Sequence, residues 1–451
     1  MTPNGVQLQH QVKGAATSEV RHLPTAERNV VWVDVDPTVH KGALSAEASG
    51  VIANAAATAR NQRLPLVMSI ASSGADILGG IAALHGWGQA ARALAECSGV
   101  VPTITIVTGP AVSGPALLIG LADFVIMTRD SYAFVSGPTM VAEFTGVTIS
   151  HDELGGTDAH AKQSGVASLV VDDVDAAREA LEHLLTYLPD NVDEMPRMVA
   201  TADSPERRLT SVASIIPDSP TGSYDVRKVI REIADDSEML EIRERWAANV
   251  VTAFVTIDGE TVGVVANQPM VLAGTLDIPA SQKAARFVAC CDAFNIPILT
   301  LVDTPGFYPG KDLEWRGMIR HGGQLVFSYA RASVPRVCVI LRKSYGGAYI
   351  VMDSKKMGND LCLAWPTAEL AVMGAGQAAA ILQRPATPEE RAAFEADYAE
   401  RLLNPYVAAE RGYVDAVIDP ADTRTEVASA FAMLRDKREK LARRKHDNTP
   451  L

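Results

Sequence analysis

The stretch that decides the fold is VPRVCVILRKSYGGAYIVM, at residues 334–352. It begins with a run of β-branched and other apolar residues, which predicts a buried strand. Two cations and then a glycine pair, Gly346 and Gly347, follow this run, and an apolar segment of helical character comes next. A strand that ends in a glycine turn at the start of a helix directs free main-chain N–H groups toward one point.

Two interpretations of this glycine turn are open. The first N–H groups of a helix have no internal partner, and glycine lets a ligand approach the backbone closely. Such a turn can bind a phosphate, or an oxygen that becomes negative during a reaction. We therefore expect an oxyanion hole built from the N–H groups of Gly347 and Ala348. The alternative is a tight strand–helix turn whose glycines serve close packing.

Length and charge limit the class of protein. A chain of 451 residues with 47% apolar residues predicts two or three domains with sizeable cores. The formal net charge of −13 argues against DNA or RNA as the main partner, because nucleic-acid binding depends on a basic surface. A local basic patch for a phosphorylated ligand is still compatible with this charge.

The cysteines and the hydropathy pattern indicate a cytoplasmic protein. The five cysteines lie in apolar runs and form no Cys-x-x-Cys pair, which indicates buried thiols rather than a zinc site or disulfides. The N-terminal residues lack the apolar core of a signal peptide, and no stretch reaches the roughly 18 apolar residues of a membrane span. We expect no membrane association and no metal in this chain.

The order of the predicted elements indicates an α/β fold. Strands and helices alternate from residue 29 onward, which is typical of a largely parallel sheet. We expect a poorly ordered segment at 1–28, a first domain at 29–200, a proline-rich linker at 201–224, a second domain at 225–436 and a charged tail at 437–451.

The second domain opens with local sequence signals for helices and for a β-hairpin. Residues 226–233 and 238–246 are predicted to be helical. Asp258-Gly259 lies between two apolar runs and predicts a β-hairpin. A basic helical end is predicted at residues 435–445, where the charges indicate a solvated face.

The two halves of the chain form an internal repeat. Prolines that precede the strands, and a glycine in a strand-end turn, recur at offsets of 232 or 233 residues. The matching pairs are Pro65 with Pro297, Pro102 with Pro335, and Gly114 with Gly347. The chain is therefore predicted to hold two copies of one α/β unit, each with two glycine turns at strand ends. Ligands of open α/β sheets bind beyond the carboxyl ends of the strands, which favours the oxyanion-hole interpretation.

Long segments of the sequence resemble a known family. They are VVANQP (264–269), DIPASQKAARFVACCDAFNIPILTLVDTPGF (277–307), EWRGMIRHGGQL (314–325), KSYGGAYIVM (343–352), LAWPTAELAVMGA (363–375) and LLNPYVAAERGYVDAVI (402–418), with ELGGTDAHAKQSGVA (153–167) and IIPDS (215–219) in the first half. These segments are similar to carboxyltransferase β subunits of biotin-dependent acyl-CoA carboxylases, such as propionyl-CoA and acetyl-CoA carboxylase. The resemblance covers roughly residues 29–436, and the N-terminal half is the more divergent.

The resemblance implies a fold, a reaction and partners. The fold would be two tandem crotonase-like domains, which agrees with the repeat. The reaction would move a carboxyl group from carboxybiotin to the α-carbon of a short acyl-CoA, with biotin carried on a separate protein. The partners would be the biotin carboxylase and biotin carboxyl carrier subunits. In the family the site lies between the first half of one subunit and the second half of another, so a homo-oligomer is expected, namely a hexamer built as a trimer of dimers.

The resemblance also assigns residues by position. Gly347 and Ala348 would hold the biotin oxygen, and Gly74 and Ala75 the thioester oxygen. The residues expected to contact substrate are Ser73, Ser113, Gly114, Gly137, Gly306, Phe307, Gly346, Tyr349 and Ile350. Ile350 occupies a position that borders the acyl pocket in the family, and an apolar residue there would suit acetyl through butyryl chains.

The first half departs from the family at both of its turns. The family sequence Asp-Ser-Gly-Gly-Ala-Arg is ASSGAD at residues 71–76, and the family sequence Ala-Gly-Gly-Ala is VSGP at residues 112–115. Pro115 removes one backbone N–H. Asp76 replaces a cation and would repel CoA phosphates unless its side chain points away.

These departures leave two other functions open. One is a biotin-linked decarboxylase that runs the reaction in reverse, onto biotin. The other is a non-catalytic partner subunit whose first oxyanion hole has decayed. The changes at Ser73 and Pro115 favour the non-catalytic subunit, and the intact second half opposes it.

Overall fold

The chain folds into two compact α/β units. The computed structural model describes residues 6–7, 14–217, 219, 221–437, 439 and 441–450. Unit 1 comprises Met1–Arg197, Arg243–Trp246 and Ala293–Asn295, and unit 2 comprises Met198–Ile242, Ala247–Asp292 and Ile296–Leu451. Each unit has its own sheet, as the repeat predicts.

Unit 1 is organised around a sheet of eight strands among the described residues. They are β1 Val6–Gln7, β2 Ala16–Leu23, β3 Arg28–Val35, β4 Leu66–Ser72, β5 Thr103–Val112, β6 Phe124–Thr128, β7 Tyr132–Phe134 and β8 Leu169–Val171. Their order is β1-β2-β3-β4-β5-β6-β8, and β7 pairs with the last residues of β5. The pairs from β3 onward are parallel, so the carboxyl ends of β4 and β5 meet at one edge.

Helices bury the apolar side chains of this sheet. They are α1 Ala46–Gln62, α2 Ile81–Ala95, α3 Pro138–Thr145, α4 His151–Gly155, α5 Thr157–Ala159 and α6 Val174–Thr186, with 3₁₀ turns at His40–Gly42 and Gly114–Leu121 and a π turn at His160–Ser164. Ser45 caps α1 by accepting the Ala48 N–H. The small residues of α1 let the helix lie close to the strands, where Val51 and Ile52 join a core with Val33 and other strand residues.

Unit 2 repeats this architecture. Its strands are β9 Leu240–Glu241, β10 Val250–Ile257, β11 Glu260–Asn267, β12 Ile298–Thr304, β13 Arg336–Tyr345, β14 Leu361–Ala364, β15 Glu369–Ala371 and β16 Ala416–Val417. Their order is β16-β14-β13-β12-β11-β10-β9, and β15 pairs with the end of β13. The predicted hairpin at Asp258-Gly259 joins β10 to β11, and the strands from β11 to β16 pair in parallel.

The helices of unit 2 follow its strands in the same rhythm. They are α7 Val226–Ile233, α8 Ile278–Ala293, α9 Lys311–Trp315, α10 Met318–Arg331, α11 Gly346–Val351, α12 Ala375–Leu382, α13 Pro388–Tyr398, α14 Pro405–Glu410 and α15 Thr423–Leu434, with 3₁₀ turns at Val212–Ser214, Asp235–Ser237, Leu272–Gly274, Lys355–Met357 and Pro420–Asp422 and a π turn at Ala399–Leu403. Val229 and Ile230 of α7 and Phe431 of α15 share one core with Val251 and Val339 of the sheet.

The expected domain division differs from the structure at the N-terminus and at the linker. Residues 16–23 form strand β2, although the segment 1–28 was expected to be poorly ordered, and residues 1–5 and 8–13 lie outside the described residues. The segment 201–224, expected to be a linker, packs into unit 2, where Leu209 and Val212 are buried in the core. Apolar residues scattered among prolines were sufficient to anchor it.

Two local predictions also differ from the structure. Residues 238–246, predicted to be helical, contain the short strand β9, which pairs with β10. Helix α15 ends at Leu434, so the basic residues that follow it do not extend a helix among those described. Charge periodicity alone does not form a helix when no apolar face anchors it.

A left-handed turn precedes helix α1 in unit 1 and helix α8 in unit 2, and in each unit it supports a strand end. His40, Lys41 and Gly42 have φ values of +50°, +55° and +68°. The counterparts Leu272, Ala273 and Gly274 have φ values of +49°, +53° and +74°, and their recurrence in both units shows that the strained turn belongs to the fold. A Cβ on Gly42 would lie 2.0 Å from the Ala71 carbonyl oxygen near the end of β4.

We predict that Gly42→Ala lowers the free energy of unfolding by about 3–5 kcal/mol, because the methyl group meets both a left-handed φ and a main-chain carbonyl. The matched control is Gly50→Ala in α1, where no atom lies within 4 Å of the added Cβ. Loss of glycine from a helix interior should stabilise the control by roughly 0.5–1 kcal/mol. Urea denaturation measures both changes, and equal stability of the two variants would contradict this role for the turn.

Candidate active site

The first bend of unit 1 consists of Ser73, Gly74 and Ala75 and follows β4. The Ser73 N–H donates to the Lys41 carbonyl at 3.0 Å. The Gly74 N–H donates to the hydroxyl of Ser72 at 3.1 Å. Among the described residues, the Ala75 N–H has no such main-chain or hydroxyl partner. Ala75 therefore offers the free donor of this bend.

The first bend of unit 2 has the same hydrogen-bond pattern. The Gly306 N–H faces the Thr304 hydroxyl at 3.4 Å. Leu276 donates to the Gly306 carbonyl at 3.1 Å and accepts the Tyr308 N–H at 2.8 Å. This bridge places Phe307 between two engaged amides, and the Phe307 N–H has no main-chain partner among the described residues. The counterpart of Ala75 is thus free as well.

The second bend of unit 1 consists of Ser113, Gly114 and Pro115 and follows β5. The Ser113 N–H donates to the Phe134 carbonyl at 3.0 Å, which ties the bend to β7. Ser113 has a φ of +69°, a conformation that residues other than glycine rarely adopt. A Cβ on Gly114 would lie 3.1 Å from the Trp87 ring, so a larger residue would crowd this ring.

The second bend of unit 2 opens helix α11. Gly346 has a φ of +61°, at the position that corresponds to Ser113. Gly347 is exposed, whereas Ala348 is fully buried at 0% exposure. A Cβ on Gly347 would lie 3.5 Å from the Phe307 ring, so the first and second bends of this unit adjoin. Gly347 and Ala348 lie in the first turn of α11, where N–H groups have no helical partner.

The pairing of neighbouring strands brings the two bends of each unit together. Beyond an irregularity in register, Ser72 at the end of β4 pairs with Ala111 of β5. In the same way Thr304 at the end of β12 pairs with Ser344 of β13. Parallel pairing that continues to the last residue fixes both bends at the carboxyl edge of the sheet.

A side-chain hydrogen bond holds the residue before the second bend of unit 2. The Tyr345 hydroxyl donates to the carboxylate of Glu369 on β15. Burial, followed by this contact, raises the pKa of Tyr345, so the hydroxyl keeps its proton at neutral pH. Gly374 lies against the Tyr345 ring. A Cβ on Gly374 would stand 3.2 Å from this ring. The ring is thus held at its edge and at its hydroxyl.

A buried ion pair joins the strands beneath the bends of unit 2. Arg342 donates from Nε to Oδ2 of Asp303 at 3.0 Å, and the Lys343 N–H donates to Oδ1 at 3.1 Å. Burial raises the pKa of Asp303, and the neighbouring Arg342 opposes this rise. Burial, followed by repulsion from Arg342, lowers the pKa of Lys343. Since both partners are buried, removal of either one would leave an uncompensated charge in the sheet.

A cavity of about 530 Å³ lies beside the second bend of unit 2. Gly346, Gly347, Tyr349 and Ile350 border it, and Ile350 is 45% exposed. Apolar side chains form much of the remaining wall, among them Leu370, Val372, Leu402 and Val407. An apolar wall with main-chain donors at one place suits a hydrophobic ligand that carries one polar oxygen.

Unit 1 has a cavity of about 520 Å³ next to its first bend. Ser73 and Gly137 border it, and so do Lys41 and His151. The Asp76 carboxylate accepts the Leu78 N–H of its own turn at 3.0 Å.

The structure brings the predicted site residues together within each unit. Those of unit 1 are Ser73, Gly74, Ala75, Ser113, Gly114 and Gly137, and those of unit 2 are Gly306, Phe307, Gly346, Gly347, Ala348, Tyr349 and Ile350. Two of them differ from the expected geometry. The N–H of Gly74 is engaged by a hydroxyl, and Ala348 lies beneath the surface, whereas Ala75 and Gly347 are accessible.

Sequence reasoning missed the residues that position the bends. Ser72 and Thr304 bind the glycine N–H groups, and they recur at the repeat offset of 232 residues, which could have identified them. Glu369 had no signal of its own, because its partner Tyr345 is distant in sequence.

The described residues lack a metal cluster and a membrane-spanning helix. No group of three or more His, Cys, Asp or Glu side chains is placed to hold a metal ion among them. None of their helices combines the length and apolar character needed to cross a membrane.

Comparison with known proteins establishes the family. The model of the carboxyl transferase domain matches residues 27–449. The chain belongs to this family. The carboxyltransferase is 44% identical over 444 residues to the propionyl-CoA carboxylase beta chain of Roseobacter denitrificans, covering 97% of this chain and 87% of the relative. It is 42% identical to the methylmalonyl-CoA decarboxylase subunit alpha of Veillonella parvula, over 92% of this chain and 82% of the relative.

A solved structure confirms the fold of the carboxyltransferase. The crystal structure of transcarboxylase 12S, a hexamer with hydrolysed methylmalonyl-coenzyme A bound, matches 99% of this chain and 90% of its own. The TM-score is 0.96 at 38% sequence identity. The predicted pair of crotonase-like units and the resemblance to carboxyltransferase subunits are confirmed, and the carboxyltransferase is an enzyme subunit of this class.

We predict that Tyr345→Phe lowers the free energy of unfolding by about 1–3 kcal/mol, because the Glu369 carboxylate loses its donor in a half-buried place. The matched control is Glu369→Gln, which keeps an oxygen that accepts from Tyr345 and should cost less. Urea denaturation of both variants provides the comparison. A Tyr345→Phe protein as stable as the wild type would show that this contact does not hold the bend.

Proposed function

We propose that this chain transfers a carboxyl group between carboxybiotin and the α-carbon of a short acyl-CoA. The observation that carries the proposal is the paired bends of each unit, in which a free main-chain N–H lies beside a glycine turn. Main-chain donors suit an oxygen that gains negative charge, because they are fixed in place and carry no counter-charge that must be desolvated. Two such pairs match a reaction in which both reactants develop an oxyanion.

In this proposal unit 2 binds biotin. The biotin ring system is apolar and carries one ureido oxygen. The ring fits the cavity wall of Leu370 and Val372, and the oxygen accepts from the exposed Gly347 N–H and from the Ala348 N–H directly beneath it. When bound, carboxybiotin supplies the carboxyl group and a ureido nitrogen and oxygen able to accept the α-proton. No side-chain base is then required. Gly346 and Tyr349 shape the cavity around the donors.

Unit 1 binds the acyl thioester in the same proposal. The Ala75 N–H donates to the thioester oxygen, and Gly74 and Gly114 let the ligand approach the backbone. Lys41 and Gly137 border the adjoining cavity, where the cation suits the phosphates of coenzyme A.

The partners and the assembly are proposed from the relatives. One relative is named a biotin-dependent acetyl-/propionyl-coenzyme A carboxylase beta5 subunit, at 42% identity over 94% of this chain. We propose that biotin reaches this chain on a biotin carboxyl carrier subunit, charged by a biotin carboxylase subunit. The hexamer named for transcarboxylase 12S supports a homo-hexamer here.

We also propose a cytoplasmic location. The cysteines Cys97, Cys290, Cys291, Cys338 and Cys362 are all buried and outside disulfide bonds. Thiols that stay reduced are typical of a reducing compartment. Burial raises the pKa of Cys97 to about 11, which keeps this thiol protonated and unreactive at neutral pH.

The decarboxylase alternative is supported by one observation, the 42% identity to a methylmalonyl-CoA decarboxylase subunit. The experiment that tests the proposal also separates the alternatives. Purified protein is incubated with free biotin and malonyl-CoA or methylmalonyl-CoA. The loss of the free carboxyl group from the CoA thioester is then measured. Biotin-dependent loss supports transfer, and forward carboxylation with the carrier and carboxylase subunits excludes a one-way decarboxylase. Absence of transfer with every short acyl-CoA contradicts the proposal and favours the non-catalytic subunit.

We predict that Ala348→Pro lowers kcat about 10²–10³-fold, because it removes one donor from the biotin oxygen. Proline is compatible with this kind of turn, since Pro115 occupies the corresponding position in unit 1. The matched control is Ala348→Gly, which keeps the N–H and should retain most of the activity. Circular dichroism checks that both variants fold. Equal activity of the two would exclude the Ala348 N–H as a donor.

We predict that Ile350→Asp narrows the range of acyl chains, because this position borders the acyl pocket in the family, where the second half of one subunit meets the first half of another. Each methylene of an acyl chain in contact with an apolar side chain contributes about 0.8 kcal/mol. The ratio of kcat/KM for butyryl-CoA to that for acetyl-CoA should therefore fall by up to about fourfold per methylene. Ile350→Val is the matched control and should change this ratio little. An unchanged ratio of kcat/KM values in Ile350→Asp would show that Ile350 does not contact the acyl chain.

A further inference from the structure

The second bend of unit 1 differs from that of unit 2 at two positions. Ser113 stands where unit 2 has Gly346, and Pro115 stands where unit 2 has Ala348, both at an offset of 233 residues. The main-chain course is otherwise shared, because each bend follows a long strand and opens a helical turn. The two substitutions change the hydrogen-bond donors that the bend can offer.

The proline removes a donor. Its nitrogen carries no hydrogen, so the bend of unit 1 retains the Gly114 N–H and loses the next one. The Ser113 N–H gives no replacement, because it donates to the Phe134 carbonyl at 3.0 Å. Counted over the main chain, this bend offers one donor fewer than its counterpart in unit 2.

The serine adds a donor at the same bend. Ser113 adopts a φ of +69°, which glycine tolerates and serine rarely does. A residue held in such a conformation where glycine would fit indicates that its side chain has a use. The counterpart Gly346, with a φ of +61°, shows that the fold itself requires no side chain there.

The Ser113 side chain lies against the first bend. Its Cβ is 2.9 Å, and its Oγ 3.7 Å, from the place where a Cβ on Gly74 would stand. Ser113 is exposed, and its hydroxyl has no hydrogen-bond partner among the described residues. Ala75 directly follows Gly74 in the chain, and its N–H is free as well. The hydroxyl therefore lies beside the bend that carries this N–H.

We propose that the Ser113 hydroxyl replaces the missing main-chain donor in the oxyanion hole of unit 1. It donates to the thioester oxygen of the acyl-CoA, together with the Ala75 N–H, as that oxygen becomes negative. The proton stays on Oγ throughout, and no covalent bond to Ser113 forms. A role as nucleophile is disfavoured, because no base is hydrogen-bonded to this hydroxyl among the described residues. This inference rests on the proposed function of unit 1.

Three variants test the proposal in the carboxyl-transfer assay with free biotin and malonyl-CoA. Ser113→Ala removes the hydroxyl and is expected to lower kcat about 10²-fold with little change in KM. Ser113→Gly restores the residue of unit 2, so kcat should fall similarly while Tm rises by roughly 2–4 °C from relief of strain. The control Ser98→Ala, at an exposed serine beyond α2, should leave both quantities unchanged.

Two kinetic results would overturn the proposal. Wild-type kcat in Ser113→Ala would show that the hydroxyl donates nothing. A higher kcat in Ser113→Gly than in the wild type would show that the side chain obstructs the hole rather than completing it. Because Ser113→Gly carries no strain, a folding defect confined to Ser113→Ala leaves the comparison intact.

Binding measurements separate this inference from the proposed function. The probes are a nitronate analogue of acyl-CoA, which carries an oxyanion in place of the enolate, and a thioether analogue, which lacks the carbonyl oxygen. Ser113→Ala should weaken the nitronate analogue at least tenfold and leave the thioether analogue unchanged. Equal weakening of both overturns the donor role. If the wild type binds neither analogue and transfers no carboxyl group, unit 1 is not an acyl-CoA site and both proposals fall.

Discussion

The main-chain bridge between the start of a helix and a strand-end bend is the constraint on which each site depends. In unit 1 the Leu44 N–H donates to the Gly74 carbonyl at 2.8 Å, and the Asp76 N–H donates back to Leu44 at 3.0 Å. A bridge of this form engages the residues on either side of the central one and leaves the N–H of Ala75 pointing away. Unit 2 repeats it through Leu276 and Phe307. The free donor is therefore a product of sheet geometry rather than of a particular side chain.

This constraint explains why strained backbone turns and a buried ion pair lie close to the bends. Left-handed turns precede both bridges, and each brings a glycine close to a strand-end carbonyl. The buried pair of Asp303 and Arg342 fixes the strands beneath the bends of unit 2. Each device costs free energy, and their common effect is to hold a few N–H groups still. Preorganised donors lose little free energy when charge develops beside them, which is the property that an oxyanion hole requires.

The sequence predicted the fold because the repeat, the apolar strands and the glycine turns are local signals that agree with one another. The sequence-based predictions were wrong where contacts between residues distant in sequence determine the local structure. Residues 238–246 have helical spacing but contain the strand β9, which pairs with β10. The proline-rich segment 201–224 is anchored by buried apolar residues such as Leu209. At the candidate site, the glycines lie in the bends that follow the strands. Which amide stays free could not be predicted, because the main-chain bridge from Leu44 that engages the neighbours of Ala75 forms only in the folded structure.

The two units have kept the same frame and changed in different places. Unit 2 retains glycine and alanine at its second bend, where Gly346 and Ala348 leave the donors to the main chain. Unit 1 has serine and proline at these positions, and Ser113 keeps a backbone conformation that suits glycine. If the bend of unit 1 had merely decayed, substitutions that ease the backbone would be expected, and a strained serine beside a proline is the reverse. A donor moved from backbone to side chain accounts for both changes with one cause.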